Sequence, residues 1–248
     1  NLLYKGPMAL SVALLSALVI NGVYSGVPSR SLIHIETATK VAFYDYDRTL
    51  LIESFGGKIK NFCTDVADIS ADCDGEGEMI QALEALDDPT ANVTRAFGGE
   101  ERIARLKLHF DRLLSDNSSI TDIYVLSTSW EPIPEQEWAD WIFATFELIG
   151  LDTYFARENV LALDDPGLNI QADKGSKAQE ALQELGITDM AECIFADDKQ
   201  GNLNWANCDG NNDEIDCSEY GGIRTICDTF LIQERAGMDG TDLNYIEA

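Results

Sequence analysis

The chain is poor in the residues that bind zinc and in those that bind nucleic acid. It has two histidines, and none of its six cysteines belongs to a Cys-x-x-Cys pair, which argues against a zinc site. Lys and Arg number 17 against 44 Asp and Glu, for a formal net charge of −27. Such a surface repels nucleic acid and anionic membranes, so we expect no nucleic-acid partner. We interpret the acidity itself as an adaptation for solubility. The same charge repels phosphorylated molecules, so any phosphate chemistry must rely on a local metal ion and local cations.

The longest uncharged stretch lies near the N-terminus. Residues 8–27 form a 20-residue run without charge. The run is just long enough to span a bilayer. Small residues near Ser25 also fit the cleavage region of a secretory signal, and a buried core element is a third interpretation. The sequence therefore predicts a signal peptide or membrane anchor over residues 1–30, and an extracytoplasmic protein that is either secreted or anchored in a membrane by residues 8–27.

The cysteines agree with export. Cys63 and Cys73 flank one acidic loop, and Cys208 and Cys217 flank another. We expect disulfides that close these short loops in an oxidising compartment. The sequence does not choose among the possible pairings.

Short apolar runs alternate with helix-like periodicity along the rest of the chain. The predicted strands are Lys40–Tyr44, Ile123–Leu126, Asn159–Leu163, Cys193–Ala196 and Gly222–Cys227. The predicted helices are Glu78–Leu86, Glu100–Leu114, Glu135–Ile149 and Ser176–Leu185. This alternation predicts an α/β fold, a Rossmann-like parallel sheet with helices on both faces. The otherwise irregular residues 52–98 predict a small cap insert within a domain that covers residues 38–248.

Reactive side chains follow three of these strands. Asp45 and Asp47 come after the first, Ser127 after the second, and Asp197 with Asp198 after the fourth. Ligands of open parallel sheets bind beyond the carboxyl ends of the strands, so one site is expected. Paired carboxylates repel each other unless a cation lies between them. Mg²⁺ prefers oxygen ligands and is the expected metal.

The order of these motifs resembles that of the haloacid dehalogenase-like superfamily over about residues 40 to 230. The motifs are Asp45-Tyr-Asp47-Arg-Thr49, Ser127, Lys174 and Asp197-Asp198-Lys-Gln-Gly-Asn202. For the serine motif, Thr128 and Ser129 are alternatives. For the lysine motif, Lys177 is the alternative, and Lys174 is favoured because Gly175 follows it. We also expect Lys174 to stand just before a helix, whose backbone N–H groups would face the same anion.

The resemblance implies a phosphatase. In this interpretation Asp45 is the nucleophile, and Asp47 protonates the leaving oxygen and later activates water. Ser127 and Lys174 bind the transferring phosphoryl group. Mg²⁺ is held by Asp45, by the main-chain carbonyl of Asp47, and by Asp197 and Asp198. The presence of Asp47 favours the phosphatase branch, because the dehalogenase branch lacks this acid and the ion pumps have a threonine there.

The expected partner is a small phosphorylated substrate or a phosphoprotein. The alternative is a catalytically silent subunit or scaffold of the same fold, anchored in a membrane assembly. The uncharged run at residues 8–27 is the feature that supports the alternative.

Overall fold

A computed structural model describes residues 40–54, 63, 77–115, 118–129, 133–163, 170–187, 190–203, 223–233 and 237–246. All of them belong to one compact unit, Thr37–Ala248. The uncharged run at residues 8–27 lies outside the described residues. So do the loop between Cys208 and Cys217 and the loop between Cys63 and Cys73. Among the helices that are described, none is both long and apolar enough to cross a membrane.

Five parallel strands form one sheet, in the order β3-β2-β1-β4-β5. They are β1 (Lys40–Tyr44), β2 (Ile120–Thr128), β3 (Val160–Leu163), β4 (Met190–Asp197) and β5 (Arg224–Leu231). The central strand β1 is fully buried from Val41 to Tyr44, because it has a neighbouring strand on each side and helices on each face. The predicted α/β class and parallel sheet are confirmed.

The described residues contain seven α-helices, which pack on the sheet. They are α1 (Glu78–Glu84), α2 (Pro89–Ala96), α3 (Glu100–Leu113), α4 (Glu135–Ile149), α5 (Ile170–Glu184), the single turn α6 (Gln200–Leu203) and α7 (Gly240–Ile246). Strand side chains alternate between the faces. Ala42 and Tyr44 pack in the core cluster of α1 to α4 and α7, whereas Val41 and Phe43 pack in the cluster of α5 and α6. Helices therefore lie on both faces, as predicted.

Several boundaries differ from prediction, and three of the differences amount to four or more residues. Residues 89–96, expected to be irregular, form α2, because Asp88 caps the helix by accepting from Ala91 N and proline occupies its first turn. Helix α5 begins at Ile170 rather than at Ser176. Strand β5 runs to Leu231, four residues beyond its predicted end.

The described part of the predicted cap insert packs on the core. Helices α1 and α2 contribute Met79, Leu83 and Val93 to the same cluster as Trp138 of α4. Glu137 of α4 also accepts hydrogen bonds from the backbone N–H groups of Gly77 and Met79. Residues 55–62 and 64–76 lie outside the description, so a cap over the site stays a prediction.

One disulfide connects two neighbouring strands. Cys193 of β4 and Cys227 of β5 face each other in register and are bonded, with 4.2 Å between their Cα atoms. This pairing was not among the predicted loop closures. Cys63 is also disulfide-bonded, whereas Cys73, Cys208 and Cys217 lie outside the described residues.

Candidate functional site

The strand order places a crevice at the carboxyl ends of β1 and β4. The chain passes from β1 to β2 and β3 on one side and then returns to β4 on the other. Such a reversal opens a ligand crevice between the two strands that flank it. The backbone N–H of Asp45 donates to Ala196 O at 2.9 Å, so Asp45 lies level with Asp197 at the end of the adjacent strand. The fold therefore brings together two of the predicted acids.

A buried lysine joins these two acids. Lys174 Nζ lies 2.7 Å from Asp45 Oδ1 and 2.6 Å from Asp197 Oδ2. All three side chains are buried, with at most 9% exposed. Oxygen atoms of Asp45, Asp197 and Asp198 all lie within 4.8 Å of one another. The structure thus places four of the six predicted site residues in one cluster.

Of the two candidate lysines, Lys174 is the one that contacts the acids. Lys177 points to the surface, where it contacts Glu135 and Glu180. Lys174, in contrast, is 2% exposed. The expectation that Lys174 stands before a helix was wrong, because it is the fifth residue of α5. Helix α5 begins four residues before Lys174, and the lysine contributes to the cluster through its side chain.

The cluster carries more negative than positive charge. Burial raises the pKa of Asp45 well above its usual value; Lys174 opposes this rise, and the nearby charges of Asp197 and Asp47 add to it. For Lys174, burial favours the neutral form, but Asp197 and Asp45 outweigh it and hold the lysine pKa above its usual value. Among these four side chains, three carboxylates and one ammonium sum to a formal charge of −2. A divalent cation would neutralise that charge.

Asp197 is oriented by its own strand-to-helix connection. One carboxylate oxygen accepts from the backbone N–H of Lys199 at 2.7 Å. The side-chain amide of Asn202 donates to both carboxylate oxygens, at 2.9 and 2.8 Å. Asn202 stood in the quoted motif, but sequence reasoning gave it no role. Its contacts identify it as a residue that fixes a carboxylate without belonging to the acid cluster.

A tight turn, Tyr46–Leu50, follows Asp45. Tyr46 points into the core, where its hydroxyl and Thr145 Oγ1 are 2.8 Å apart. Arg48 has a φ of 61°, a left-handed conformation that is rare outside glycine and asparagine. Thr49 donates back to Asp45 Oδ2 at 3.3 Å. Asp47 is half-buried, and its carboxylate is outside the cluster of three acids; a metal contact through its main-chain carbonyl stays a prediction.

A buried arginine that sequence reasoning missed holds this turn in place. Arg102 of α3 is 7% exposed. Its guanidinium donates to four backbone carbonyls: Leu50 O at 2.5 Å, Phe97 O at 2.8 Å, Met238 O at 3.0 Å and Thr49 O at 3.1 Å. Burial lowers the arginine pKa to about 10, so the group stays charged at neutral pH. These acceptors are separated from Arg102 by up to 136 residues in the sequence, so the helical periodicity of α3 could not indicate this role.

Ser127 lies near the carboxyl end of β2, on the strand beside β1. Its hydroxyl oxygen accepts from Trp138 Nε1 at 3.0 Å. Thr128 ends the strand and is half-buried. Ser129 bonds through its backbone N–H to Leu163 O at 2.6 Å, towards β3. The Ser129 hydroxyl has no hydrogen-bond partner among the described residues. The strand register places Ser127 two residues beyond the level of Tyr44, at the same edge as the acid cluster.

The residues present fit a hard divalent cation. Asp45, Asp197 and Asp198 offer only oxygen ligands, and Mg²⁺ is commonly held by one or a few carboxylates while it keeps several waters. Part of the ligand capacity is already used, because Lys174 contacts both Asp45 and Asp197, and Asn202 contacts Asp197.

No family model matches the chain, and no curated protein matches it in sequence. Among solved structures, the chain is similar to a crystal structure of the Legionella pneumophila effector Ceg4 with an N-terminal yeast Hog1p sequence. The identity is 13%, the TM-score is 0.41, and the match covers 85% of this chain and 93% of that chain. At this level the likeness carries no argument about function.

Proposed function

We propose that the chain is a Mg²⁺-dependent phosphatase of the haloacid dehalogenase-like superfamily, which hydrolyses a phosphate monoester through an aspartyl-phosphate on Asp45. The observation that supports this most is the buried Lys174 ammonium within 2.7 Å of both Asp45 and Asp197. A buried charge cluster costs stability unless it is fully compensated. A buried cluster of charged groups at the ligand crevice of a parallel sheet is typical of a functional site.

The first half of the reaction forms the covalent intermediate. An oxygen of Asp45 bonds to phosphorus as the bond from phosphorus to the leaving oxygen breaks. Asp47 gives its proton to the leaving oxygen. Lys174 and the Ser127 hydroxyl stabilise the charge of the transferring group. When bound, Mg²⁺ neutralises the carboxylates and the phosphoryl oxygens, which allows two anions to approach each other.

The second half restores the enzyme. Asp47, now ionised, takes a proton from water, and the water oxygen bonds to phosphorus. The bond between Asp45 and phosphorus breaks, so that inorganic phosphate leaves and the Asp45 carboxylate is regenerated. General acid–base assistance of this kind contributes on the order of 10²–10⁴ in rate. The half-buried position of Asp47, outside the acid cluster, suits a group that must exchange protons with water.

The substrate class is a small phosphorylated molecule or a phosphoprotein. The net charge of −27 repels phosphorylated substrates at long range. Binding must therefore depend on contacts within the crevice, and affinity should rise with Mg²⁺ concentration.

Phosphate release from a panel of phosphorylated metabolites and phosphopeptides tests the proposal. Wild-type protein should turn over at least one substrate in Mg²⁺ and lose that activity in a chelator. Asp45→Asn should be inactive, because an amide cannot serve as the nucleophile. Asp87→Asn, a change at an exposed acid that is not part of the cluster, is the matched control. No Mg²⁺-dependent turnover in the wild type on any substrate would contradict the proposal and favour the silent subunit.

A further inference from the structure

The contact between Trp138 and Ser127 assigns a direction to a hydroxyl group. Trp138 of α4 is fully buried, and Ser127 is 1% exposed. Trp138 Nε1 lies 3.0 Å from Ser127 Oγ. The indole is also fixed from behind, because it stacks on Trp141 with 5.1 Å between ring centroids and 19° between ring planes. The donor in this contact is therefore held by a packed core rather than by a mobile side chain.

An indole N–H donates and never accepts. Ser127 Oγ must therefore be the acceptor in this bond, and its own proton is left for a second partner. Among the residues that the structure describes, Trp138 supplies the only hydrogen bond to this hydroxyl. A buried hydroxyl that accepts without donating is short of one acceptor, and an oxyanion would supply it.

The position of Ser127 in the sheet indicates where that acceptor would lie. Val125 pairs with Tyr44, so Ser127 extends past the last paired residue of β1, beside the turn that follows Asp45. Lys174 approaches the crevice from α5, on the face of Val41 and Phe43. Trp138 approaches from α4, on the opposite face. Ser127 lies on β2, next to β1, so at the end of β1 the cation comes from one face of the sheet and the hydroxyl from the other.

We propose that Trp138 is a positioning residue, which holds Ser127 so that the hydroxyl proton is donated to a phosphoryl oxygen in the crevice. The nature of the ligand rests on the proposed phosphatase function, whereas the direction of the hydroxyl rests on the contact itself. Trp138 does not touch the ligand in this proposal. It acts through Ser127, so removing its N–H should matter only while the serine hydroxyl is present.

The test is a double-mutant cycle read by the binding of inorganic phosphate. Isothermal calorimetry in Mg²⁺ compares wild type, Trp138→Phe, Ser127→Ala and the double variant. Trp138→Phe should weaken phosphate binding by roughly three- to tenfold, the size of one neutral hydrogen bond. In the Ser127→Ala background the same change should alter the affinity less than about twofold. Ser127→Thr, which keeps a hydroxyl, should keep the sensitivity to Trp138→Phe.

A variant with the same side-chain shape controls for the loss of core packing. Replacing Trp138 with benzothienylalanine substitutes sulfur for the N–H group and keeps the bicyclic ring, so this variant should fold even where phenylalanine leaves a cavity. It should show the same loss of phosphate affinity as Trp138→Phe, with a thermal midpoint close to that of the wild type.

The outcomes separate this inference from the proposed function. If phosphate binds and the cycle is non-additive, the inference stands even in a protein without turnover. Equal weakening in both serine backgrounds, wild-type affinity in the benzothienylalanine variant, or no phosphate binding by the wild type would each overturn it. An active phosphatase with an additive cycle would keep the function and remove the role of Trp138.

Discussion

Two buried cations lie on opposite faces of the sheet and are compensated in different ways. Lys174, on the α5 face, is paired with two carboxylates, and a third acid lies beside them. Arg102, on the other face, forms no ion pair with the described residues and instead donates to four backbone carbonyls. All four of the Arg102 contacts are to backbone carbonyls, whereas Lys174 lies among three acids. The comparison indicates that Arg102 holds the turn in place, and it agrees with the proposal that Lys174 binds a ligand.

Replacing the lysine should give the largest effect. Lys174→Met leaves Asp45 and Asp197 buried without a cation, so we expect turnover to fall on the order of 10³. The metal-free protein should lose about 3–5 kcal/mol of unfolding free energy. Lys177→Met, three residues along the same helix and contacting only surface glutamates, is the control and should change neither quantity much. Phosphate release and urea unfolding measure the two effects. Near-normal turnover in Lys174→Met would break the comparison.

Replacing the arginine should affect stability first. Arg102→Ala removes the guanidinium from four buried carbonyls, of which Thr49 O keeps a bond from the Met238 N–H, at a cost of about 4 kcal/mol or more in unfolding free energy. Arg102→Lys keeps the charge but lacks the planar fork, so it should fall between alanine and wild type. Arg105→Ala, at an exposed position one turn further along α3, is the matched control. Urea unfolding at neutral pH decides; an alanine variant as stable as the control would show that water replaces the guanidinium.

The acid cluster should make the metal-free protein sensitive to pH. Because burial raises the folded-state pKa of Asp45 above its usual value of 3.8, the folded chain binds this proton more tightly than the unfolded chain does. Stability should therefore fall as pH rises from the unfolded pKa to the folded pKa, by up to about 1.4 kcal/mol per pH unit. Asp45→Asn should remove this component of the slope. Urea unfolding of both proteins in a chelator, from about pH 4 to pH 8, tests the sign, and parallel curves would contradict it.

The smallest expected effect comes from a glycine that packs against Arg102. Gly237 and Gly186 have nearly equal φ values, 78° and 77°. A Cβ on Gly237 would lie 2.5 Å from Leu51 O and 2.6 Å from Arg102 Nη2, whereas one on Gly186 would meet nothing within 4 Å. Gly186→Ala should cost about 1 kcal/mol through backbone strain alone. Gly237→Ala should cost about 1–3 kcal/mol more, and equal losses in thermal unfolding would show that the turn yields to the added methyl group.

Sequence reasoning succeeded where the signal was local. The run Lys40–Tyr44 is continuous and apolar, and the stripe of Glu135–Ile149 has helical spacing, so both elements were placed with their observed bounds. The predicted start of helix α5 lies six residues after the observed one, because Ser176 and Gln179 resemble a capping box. The Gln179 side chain instead exchanges two hydrogen bonds with the backbone of Ile223, a tertiary contact that local patterning does not contain.

The four residues of the acid cluster and its lysine were predictable from the sequence, but the residues that support them were not. The acids and Lys174 stood in motifs, and parallel strands deliver motif residues to one edge. Arg102 looked like any charged residue of an amphipathic helix, since its acceptors are carbonyls of distant segments. Trp138 looked like part of an aromatic core stripe, and its N–H contact with Ser127 depends on how α4 lies against β2.

The strand order has a consequence for synthesis of the chain. Lys174 and Asp45 are 129 residues apart, and the partner of β1 on one side is β4, which is made after β2 and β3. A nascent chain that has just completed β3 therefore presents one edge of its central strand unpaired, with an uncompensated aspartate at its tip. Ribosome-bound fragments that end before residue 190 should attract chaperones, and release from them should coincide with the emergence of β4.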